Sequence, residues 1–585
     1  MATLRVTRMA KTVQRMNRFV RRGILGALAG SAASTPLLFL TITRGAELAI
    51  VLVAGSIYSA CVPPTRGAYA DNIMAAASLG IPLWGITSIL LLPLLSDNHM
   101  AMAAVDIQAQ FAPLVGWILC GALLGAFLQA FSEIAETLYG AEAQPSSLPT
   151  TNLTRIVVLG GGFGGMKAAQ CLEQELAGSV SISLVSDTNA LLFTPMLAEV
   201  AGSSLEPSHI SVPLRSTLRL THFVRGRVTG VDLEKRVIVL DGAGATEPRR
   251  ELPYDHVVFA LGAVSNYLGL ENVERLAFDF KTLLDAIRIR NHVIEMFERA
   301  DRQTDPMIRR QLLTFVIAGG GFAGVELAGA LNDFAHGIFP DYHNLNIEEL
   351  CVTLVHSRDR ILPELSETLA TYALEKMKER GVVFRLGTRL VDAQPGLVTL
   401  SDGQIPAETL VWTAGTAPNP LIKTLDLATT PRGAIVVDST LAVKNHAGAW
   451  ALGDCAAVID SETKKPCPPT AQFALREATT IARNISATLK GSHVRDFHFR
   501  SLGALCVVGH QTACAELTVP FVPGRSLRFS GLLAWLIWRG IYVAKLPGLE
   551  RKIRVLIAWT LELFFPRDII QTIDLGGKDI HPWRS

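Results

Sequence analysis

Two glycine-rich segments, residues 155–175 and 314–331, have the residue types and spacing needed to bind a pyrophosphate. The glycines that define them are Gly160, Gly162 and Gly165 in the first segment and Gly319, Gly321 and Gly324 in the second. Such glycines permit a tight turn and let backbone N–H groups reach an anion at the positive end of a helix. A single copy is weak evidence, but two copies about 160 residues apart predict two dinucleotide sites.

The residues that follow the next strand of each unit bear on which dinucleotide is bound. An acid about 20 residues after the glycines commonly binds the ribose hydroxyls. In the first unit that position is Ser186, followed by Asp187, so the acid is displaced by one residue. In the second unit the strand ends at His356, Ser357 and Arg358. These residues either hold a 2′-phosphate, which favours NADPH, or are solvated turn residues, which leaves NADH as the donor.

The elements around both segments read as strand, turn and helix. An apolar run precedes each set of glycines and a helical pattern follows it. This order predicts an α/β protein with two doubly wound Rossmann-type units. At 585 residues the chain is long enough for three or four structural units.

The composition limits the classes of function. Hydrophobic residues make up 49% of the chain and mean hydropathy is +0.33, which predicts that part of the chain lies in lipid. The net charge of +2 argues against a nucleic-acid partner. Eight cysteines occur without a CxxC pair, so neither a disulfide framework nor a metal site is predicted. They favour a reducing compartment.

The N-terminal region predicts a membrane anchor. Seven Lys and Arg residues and no acid occur in the first 22 residues, a pattern typical of a cytoplasmic anchor or, alternatively, a transit peptide. Four apolar stretches follow, at 23–43, 47–63, 75–95 and 114–131. About four spans return the chain to its starting side, which predicts a multi-pass protein of the cell (inner) membrane with its catalytic core on the cytoplasmic side.

Close helix packing is expected within these stretches. Gly26 and Gly30, and Gly121 and Gly125, have the small-xxx-small spacing that lets helices approach. No buried charge marks an ion path, so the region is interpreted as an anchor and not as a transporter.

Beyond the glycines, the sequence resembles the flavoproteins with two dinucleotide-binding domains, in which the first fold holds FAD and the second holds NAD(P)H. Residues 260–264 and 412–420 look like that family's connecting segments, and 451–456 looks like its flavin segment. More narrowly, residues 192–203 and 325–329 are similar to segments of the type II NADH:quinone oxidoreductases, the non-proton-pumping respiratory enzymes. The run 529–570 resembles their membrane-docking helices.

This resemblance implies the roles of individual residues. Glu326 is implied near the nicotinamide or as a proton donor toward quinone, although a first-turn Glu also complements the helix dipole. Gln472 is implied at the quinone side of the flavin, while its usual partner glutamine is replaced by Arg476. The implied cofactor-binding set is Gly160, Gly162, Phe163, Gly164, Gly165, Ser186, Asp187, Pro195, Gly262, Gly319, Gly321, Phe322, Gly324, His356, Ser357, Arg358, Gly415, Gly453, Asp454 and Ala471.

The sequence divides into seven predicted segments. They are a basic arm (1–22), a transmembrane region (23–132), a linker (133–152), a first part of the FAD-binding domain (153–311), an NAD(P)H-binding domain (312–425), a second part of the FAD-binding domain (426–500) and a C-terminal membrane-docking region (501–585). In the last region, Trp535, Trp538, Tyr542 and Trp559 are expected at the lipid interface, and the alternative is an ordinary amphipathic helix packed on the domain. The expected partners are the lipid bilayer and a quinone, and homodimerisation is an open alternative.

Several rival functions share parts of this pattern. A sulfide:quinone oxidoreductase uses paired cysteines near the flavin, but no cysteine lies between Cys171 and Cys351. A disulfide reductase needs a Cys-x4-Cys motif soon after the first glycines, and none is present. A reductase of a soluble redox protein leaves the membrane segments unexplained. A membrane-tethered flavoprotein redox sensor without catalytic activity remains the alternative from another class.

Overall fold

The computed structural model describes residues 27–34, 44–61, 69–85, 87, 107–139, 153–176, 178–241, 249–519 and 525–571. The chain forms two compact units. One consists of Met1–Gln144 and Leu536–Leu556, and the other of Pro145–Trp535 and Ile557–Ser585. The predicted basic arm lies outside the described residues.

The first unit is helical. Its N-terminal helices cover residues 27–33, Arg44–Cys61, Tyr69–Ala77, Gly80–Trp84 and Ile107–Tyr139. Their shared apolar core contains Ala29, Val51, Ala76, Trp117 and Leu124.

Glycines set the closest approaches between these helices. A side chain at Gly125 would meet the backbone of Asn72 and Ile73, and one at Gly121 would meet that of Ala76 and Ala77. A buried amide pair, in which Asn72 Nδ2 donates to Gln129 Oε1 at 2.5 Å, joins the same two helices. The packing role predicted for Gly30, Gly121 and Gly125 is therefore observed, while Gly26 lies outside the described residues.

The helices differ from the four predicted stretches. By length and composition, one described helix, Pro113–Phe131, is long and apolar enough to cross a membrane, and Ile50–Ser59 and Asn72–Trp84 are shorter apolar helices. The third stretch begins earlier than predicted, at Tyr69, and its helix is interrupted before Gly80. The last helix continues to Tyr139, into the predicted linker, because residues 132–139 include several good helix formers, among them two Glu, Ala and Leu.

The first doubly wound unit is built on a five-stranded parallel sheet. Its strands, in spatial order, are Ala449–Ala451, His256–Phe259, Arg155–Leu159, Ser181–Ser186 and His222–Arg225. Helices Phe163–Leu176 and Ala471–Leu489 pack together beside it. Strands Val228–Asp232, Val237–Leu240 and Arg250–Pro253 form an antiparallel sheet in the same unit.

The second doubly wound unit has the same arrangement. Its parallel sheet has the order Phe278–Asp279, Thr409–Trp412, Thr314–Ala318, Cys351–His356 and Val383–Leu386, with antiparallel strands Leu390–Gln394, Leu397–Leu400 and Gly403–Pro406 beside it. The central strand of each sheet is buried because both faces are covered. The predicted α/β class is confirmed. The strand Phe278–Asp279 precedes the boundary predicted at 312.

Further elements complete the two doubly wound units. The helices are Leu197–Ala201, Leu214–Thr217, Glu271–Leu276, Leu283–Asp301, Pro306–Leu312, Phe322–Ile338 and Glu367–Glu379, and the strands are Ala190–Leu192, Ser211–Pro213, Ala263–Ser265, Thr416–Pro418, Ile435–Val436 and Ala456–Ala457.

The C-terminal region begins with a sheet that the sequence did not predict. Strands Gly503–Gly509, Thr512–Thr518 and Ser526–Ser530 are antiparallel and precede helices Gly531–Lys545 and Leu549–Leu561. The interfacial position expected for the tryptophans is wrong, since Trp535, Trp538 and Trp559 are buried. Trp559 Nε1 donates to the Glu199 carboxylate at 3.2 Å, because a buried indole N–H needs an acceptor.

Candidate functional site

The first glycine turn follows the strand Arg155–Leu159. Gly160 has φ +109°, and a side chain there would collide with Ala260 O. Gly165 lies so close to Gly160 O that only glycine fits, and Gly164 packs against Leu452. A Cβ placed on Gly162, by contrast, meets none of the described atoms within 4 Å. The turn therefore leaves open space at the start of the helix Phe163–Leu176, as a pyrophosphate requires.

Residues at the neighbouring strand end frame this turn. Ser186 is buried beside Gly161, with its Oγ 3.4 Å from Thr188 Oγ1, and Asp187 is exposed. Pro195 lies in the short helix Thr194–Met196, next to Phe193, whose ring packs on Phe163 at 5.7 Å. The structure thus brings the predicted Ser186 and Phe163 to the border of the first turn, and Pro195 lies two residues from the Phe193 ring.

The second turn has the same geometry. Gly319 has φ +128°, and side chains at Gly319 or Gly324 would collide with Thr413. Gly321 precedes the helix Phe322–Ile338, and its Cβ position is open among the described residues. The sequence missed Thr413, whose hydroxyl donates to Ala318 O at 2.9 Å and packs the turn from the adjacent strand end.

His356 faces the turn and not solvent. Its Nδ1 accepts a hydrogen bond from Gly320 N–H at 3.1 Å, so the ring holds the turn in place. Burial, together with the nearby Arg358 charge, lowers the pKa of His356. A neutral ring is therefore favoured, which argues against a cationic contact to a 2′-phosphate.

Ser357 and Arg358 are exposed at the same strand end. Arg358 borders an open cleft of about 500 Å³ that Arg360, Glu367 and Thr371 also line. Among the described residues, the Arg358 side chain forms no hydrogen bond or ion pair, so its guanidinium is available to an incoming ligand.

The two connecting segments pair with each other. Ala263–Ser265 and Thr416–Pro418 form an antiparallel ribbon, with Val264 opposite Ala417. Gly262 has φ +65° at one end of the ribbon. Gly415 lies at the other end, where Asn266 N–H donates to Gly415 O at 3.1 Å. These contacts place the predicted Gly262 and Gly415 where the chain crosses between the two doubly wound units.

The predicted flavin segment is the turn Gly453–Cys455. Burial raises the pKa of Asp454, and the positive charge of Lys281 opposes that shift. Lys281 Nζ also donates to Ala263 O at 3.2 Å. Cys455 is buried and its thiol donates to Leu452 O at 3.2 Å, while burial raises its pKa to about 12. Cys455 is thus a packed residue and not a nucleophile.

Gln472 and Glu326 both bind the strand Gly503–Gly509 or the residues just before it. Gln472, next to Ala471 at the start of its helix, accepts a hydrogen bond from Leu502 N–H and donates to Gly503 O, each at 3.2 Å. Glu326 accepts a hydrogen bond from Val507 N–H at 3.3 Å. The sequence did not reveal this shared contact, because both pairings span more than 25 residues.

Two further residues escaped the sequence reasoning. Lys281 precedes a helix whose capping box, formed by Thr282 and Asp285, was not recognised. Glu477 is buried on the helix Ala471–Leu489, and its Oε2 accepts a hydrogen bond from Gly453 N–H at 2.7 Å. A charged residue on the apolar face of a helix was the signal that could have identified Glu477.

Together, these residues have the groups needed to bind two dinucleotides, one of them FAD. Each glycine turn presents backbone N–H groups with open space before a helix. Asp454 is half-buried and interacts with the positive charge of Lys281, and its carboxyl group suits the polyol chain of a flavin nucleotide. Burial raises the pKa of Cys455, Cys467, Cys506 and Cys514, whereas a redox-active thiol needs a lowered pKa.

Comparison with known sequences identifies relatives. A family profile described as "Pyridine nucleotide-disulphide oxidoreductase" matches residues 154–478. The type II NADH:quinone oxidoreductase Ndh of Mycobacterium tuberculosis is 30% identical over 444 residues, covering 73% of this chain and 91% of that protein. An internal alternative NAD(P)H-ubiquinone oxidoreductase of Solanum tuberosum is 28% identical, covering 77% of this chain and 94% of that protein.

Solved structures share the fold. The NDH2 of Plasmodium falciparum in complex with NADH aligns with a TM-score of 0.65 at 18% identity, covering 72% of this chain and 100% of that chain. The sulfide:quinone oxidoreductase of Aquifex aeolicus aligns with a TM-score of 0.55 at 17% identity, covering 70% of this chain and 95% of that chain.

Proposed function

The chain belongs to the pyridine nucleotide-disulphide oxidoreductase family and, within it, to the type II NADH:quinone oxidoreductases, and we propose that its two doubly wound units pass electrons from NADH through FAD to a quinone at a membrane surface. Family membership confirms the predicted NADH:quinone oxidoreductase activity. The assignment of roles rests on the two open glycine turns, each of which follows the central strand of one parallel sheet. The ribbon of Ala263–Ser265 and Thr416–Pro418 connects the two doubly wound units that carry these turns.

Bound FAD would supply the chemistry of hydride acceptance and electron delivery. The chain supplies position. Gly160, Gly162 and Gly165 would hold the FAD pyrophosphate, and Asp454 would bind the ribityl hydroxyls. Gly319, Gly321 and Gly324 would hold the pyrophosphate of the nicotinamide nucleotide. Because collisions exclude side chains at both glycine turns, each turn would hold its pyrophosphate in a defined position.

For the donor, we propose NADH, with NADPH as a weaker substrate. His356 is engaged with Gly320 and is favoured as neutral. Arg358 is then the cation at this strand end best placed for a 2′-phosphate, next to the acidic Asp359. A single charge-assisted hydrogen bond contributes roughly 1.5–3 kcal/mol. Arg358→Gln should therefore lower kcat/KM for NADPH about tenfold or more while changing that for NADH little.

For the acceptor, Gln472 and Glu326 are proposed to shape the quinone side of the flavin. Gln472 binds Leu502 and Gly503, so it holds the start of the C-terminal sheet against the helix Ala471–Leu489. Glu326 binds Val507, so it holds the same sheet against the helix Phe322–Ile338, which begins at the second dinucleotide turn. In this arrangement Gln472 is a positioning residue. Glu326, which is half-buried, remains the candidate for proton transfer toward the quinone.

Membrane attachment is proposed from two separate features. The helix Pro113–Phe131 has the length and hydropathy of a span. Several large apolar side chains close in sequence are exposed in the last 30 residues: Ile557, Leu561, Leu563, Phe564, Phe565 and Ile570. Such a patch docks on lipid. We propose a multi-pass anchor with the catalytic core on the cytoplasmic side, and leave homodimerisation to measurement.

The test is anaerobic reduction of the flavin in the purified protein. NADH should bleach the flavin absorbance within the mixing time of a stopped-flow experiment, NADPH more slowly, and a soluble quinone should restore the absorbance. Bleaching without recovery by quinone would contradict the proposed acceptor. A protein that retains FAD and is bleached by neither nucleotide would instead support a non-catalytic sensor. Arg358→Gln serves as the matched variant for the donor preference.

A further inference from the structure

Glu477 is a carboxyl group in an otherwise apolar helix face. It lies on the helix Ala471–Leu489, where the buried positions Phe473, Ala474, Ala478 and Ile481 form the packed side. Its exposed fraction is 2%. Burial of an unpaired carboxylate is costly, so a residue of this kind needs either a proton or a specific partner.

The partner is the flavin segment. Glu477 Oε2 accepts a hydrogen bond from Gly453 N–H at 2.7 Å. Gly453 has φ +67°, a conformation that favours glycine, and the next residue is Asp454. The contact therefore fixes the turn that presents the Asp454 carboxyl to the proposed FAD site.

The titratable groups that face Glu477 come from three parts of the chain. Asp454 and Cys455 lie on the flavin segment, and Cys467 lies on the loop before the helix. The positive charge of Lys281 opposes the rise that burial causes in the pKa of Asp454. Burial first, and then the charge of Asp454, raise the pKa of Glu477 to about 7, while the Gly453 N–H opposes the shift. Two neighbouring buried carboxyls favour retention of a proton by one of them.

We propose that Glu477 is a positioning residue for FAD that holds the Gly453–Asp454 turn and takes up a proton when negative charge develops on the reduced flavin. The proposal rests on the FAD site assigned above. In this step one proton moves from solvent to the Glu477 carboxylate, forming an O–H bond, and no electron reaches Glu477. The electrons come from NADH and stay on the cofactor until the quinone removes them.

The sign of the effect follows from linkage. A carboxyl beside a more negative cofactor has a higher pKa, so reduction draws a proton to Glu477 at pH values above about 7, where the oxidised protein holds it ionised. In that range the flavin midpoint potential of the native protein should fall more steeply with pH than that of Glu477→Gln. For a two-electron couple, one additional proton corresponds to about 30 mV per pH unit.

The experiment is a spectroelectrochemical titration of the flavin in the full-length protein between about pH 6 and pH 9. Glu477→Gln keeps an acceptor for Gly453 N–H and removes the titration, so it should retain FAD and lose the steeper slope. Glu173→Gln is the matched control. Glu173 also accepts a backbone N–H, from Leu220 at 2.9 Å, but lies nine residues from Gly164 along their shared helix, about 13 Å at the helical rise. Equal slopes in the native protein and Glu477→Gln would overturn proton uptake.

The positioning role has its own readout. Glu477→Leu removes the acceptor for Gly453 N–H and should increase FAD release on dilution about tenfold, relative to Glu477→Gln and Glu173→Gln. FAD retention by Glu477→Leu equal to that of Glu173→Gln would overturn the positioning role. If Glu477→Leu does not fold, the smaller Glu477→Ala, which also removes the acceptor for Gly453 N–H, takes its place in the same comparison. Bleaching of the native flavin by NADH tests the proposed function separately, since it does not depend on the pH slope.

Discussion

Individual residues at the first glycine turn determine whether a dinucleotide can approach. Gly160 combines a positive φ with direct contact to Ala260 O, and Gly165 packs on the carbonyl of Gly160. Gly162 is different, because its side-chain position is open among the described residues. Gly160 and Gly165 therefore serve packing, whereas Gly162 leaves room for the ligand.

Gly160→Ala should abolish stable FAD binding, because the added methyl group meets Ala260 O and the backbone conformation is strained. The measurement is the flavin-to-protein ratio after purification, which should fall at least about tenfold. Gly178→Ala is the control. Gly178 also has a positive φ, of +79°, but its Cβ position is open among the described residues. Equal flavin loss in both variants would contradict the steric argument and attribute the effect to backbone strain.

Asp460 links the loop around 460 to the segment that leads into the C-terminal sheet. Its carboxylate accepts hydrogen bonds from Thr463 N–H at 2.7 Å, Phe499 N–H at 3.0 Å and the His498 ring at 2.9 Å. These hydrogen bonds hold the pKa of Asp460 well below the usual carboxyl range. The resulting stabilisation is present above the unfolded pKa near 4 and is lost as pH falls through the lower folded value.

Asp460→Asn should lower the free energy of unfolding by about 1–3 kcal/mol at neutral pH. The difference in Tm between this variant and the native protein should shrink as pH falls below about 4, since Asp460 is then protonated in the unfolded state while the folded state still holds it ionised. Thermal unfolding at several pH values measures this effect. The exposed Asp426, changed to Asn, is the control and should leave Tm unchanged. A difference in Tm that stays constant down to pH 2 would argue against the ionised Asp460.

At the element scale, helix pairs in the N-terminal unit are held at backbone contact by small residues. Gly121 and Gly125 of one helix meet the backbone of Ala76 and Asn72 of another. Close backbone approach matters most in lipid, where hydrophobic burial does not drive helix association. The spacing of these glycines predicted this packing, but the sequence did not indicate which helix they face.

Gly125→Leu should separate this helix pair, because its side chain would overlap the backbone of Asn72 and Ile73. The expected result is a lower precipitation temperature of the detergent-solubilised protein, by several degrees for a loss of about 1–3 kcal/mol. The control is Gly85→Leu, since the Gly85 Cβ position is open among the described residues. An unchanged precipitation temperature for Gly125→Leu would refute this helix contact.

At the scale of the whole molecule, the chain divides into two compact units with separate cores. The dinucleotide turns, the connecting ribbon and the flavin segment all belong to the unit Pro145–Trp535 with Ile557–Ser585. The N-terminal helices have their own core. Flavin binding should therefore be independent of the N-terminal helices.

Deletion of residues 1–140 should leave a protein that binds FAD and is reduced by NADH at a rate within a few-fold of the native rate. It should bind vesicles more weakly, because the Pro113–Phe131 helix is removed and the exposed C-terminal residues remain. Flavin content and vesicle co-sedimentation are the measurements. Loss of flavin after this deletion would show that the two units depend on each other.

The sequence alone determined the α/β class, both glycine turns and the family, because these depend on local spacing: a strand, a turn and a helix within about 20 residues. Only the tertiary structure showed that His356 faces Gly320, that Gln472 and Glu326 bind one C-terminal segment, and that Glu477 supports Gly453. It also showed that the C-terminal tryptophans are buried. Such pairings join residues 24 to 360 positions apart, and side-chain partners at that separation are set by packing, which no local pattern records.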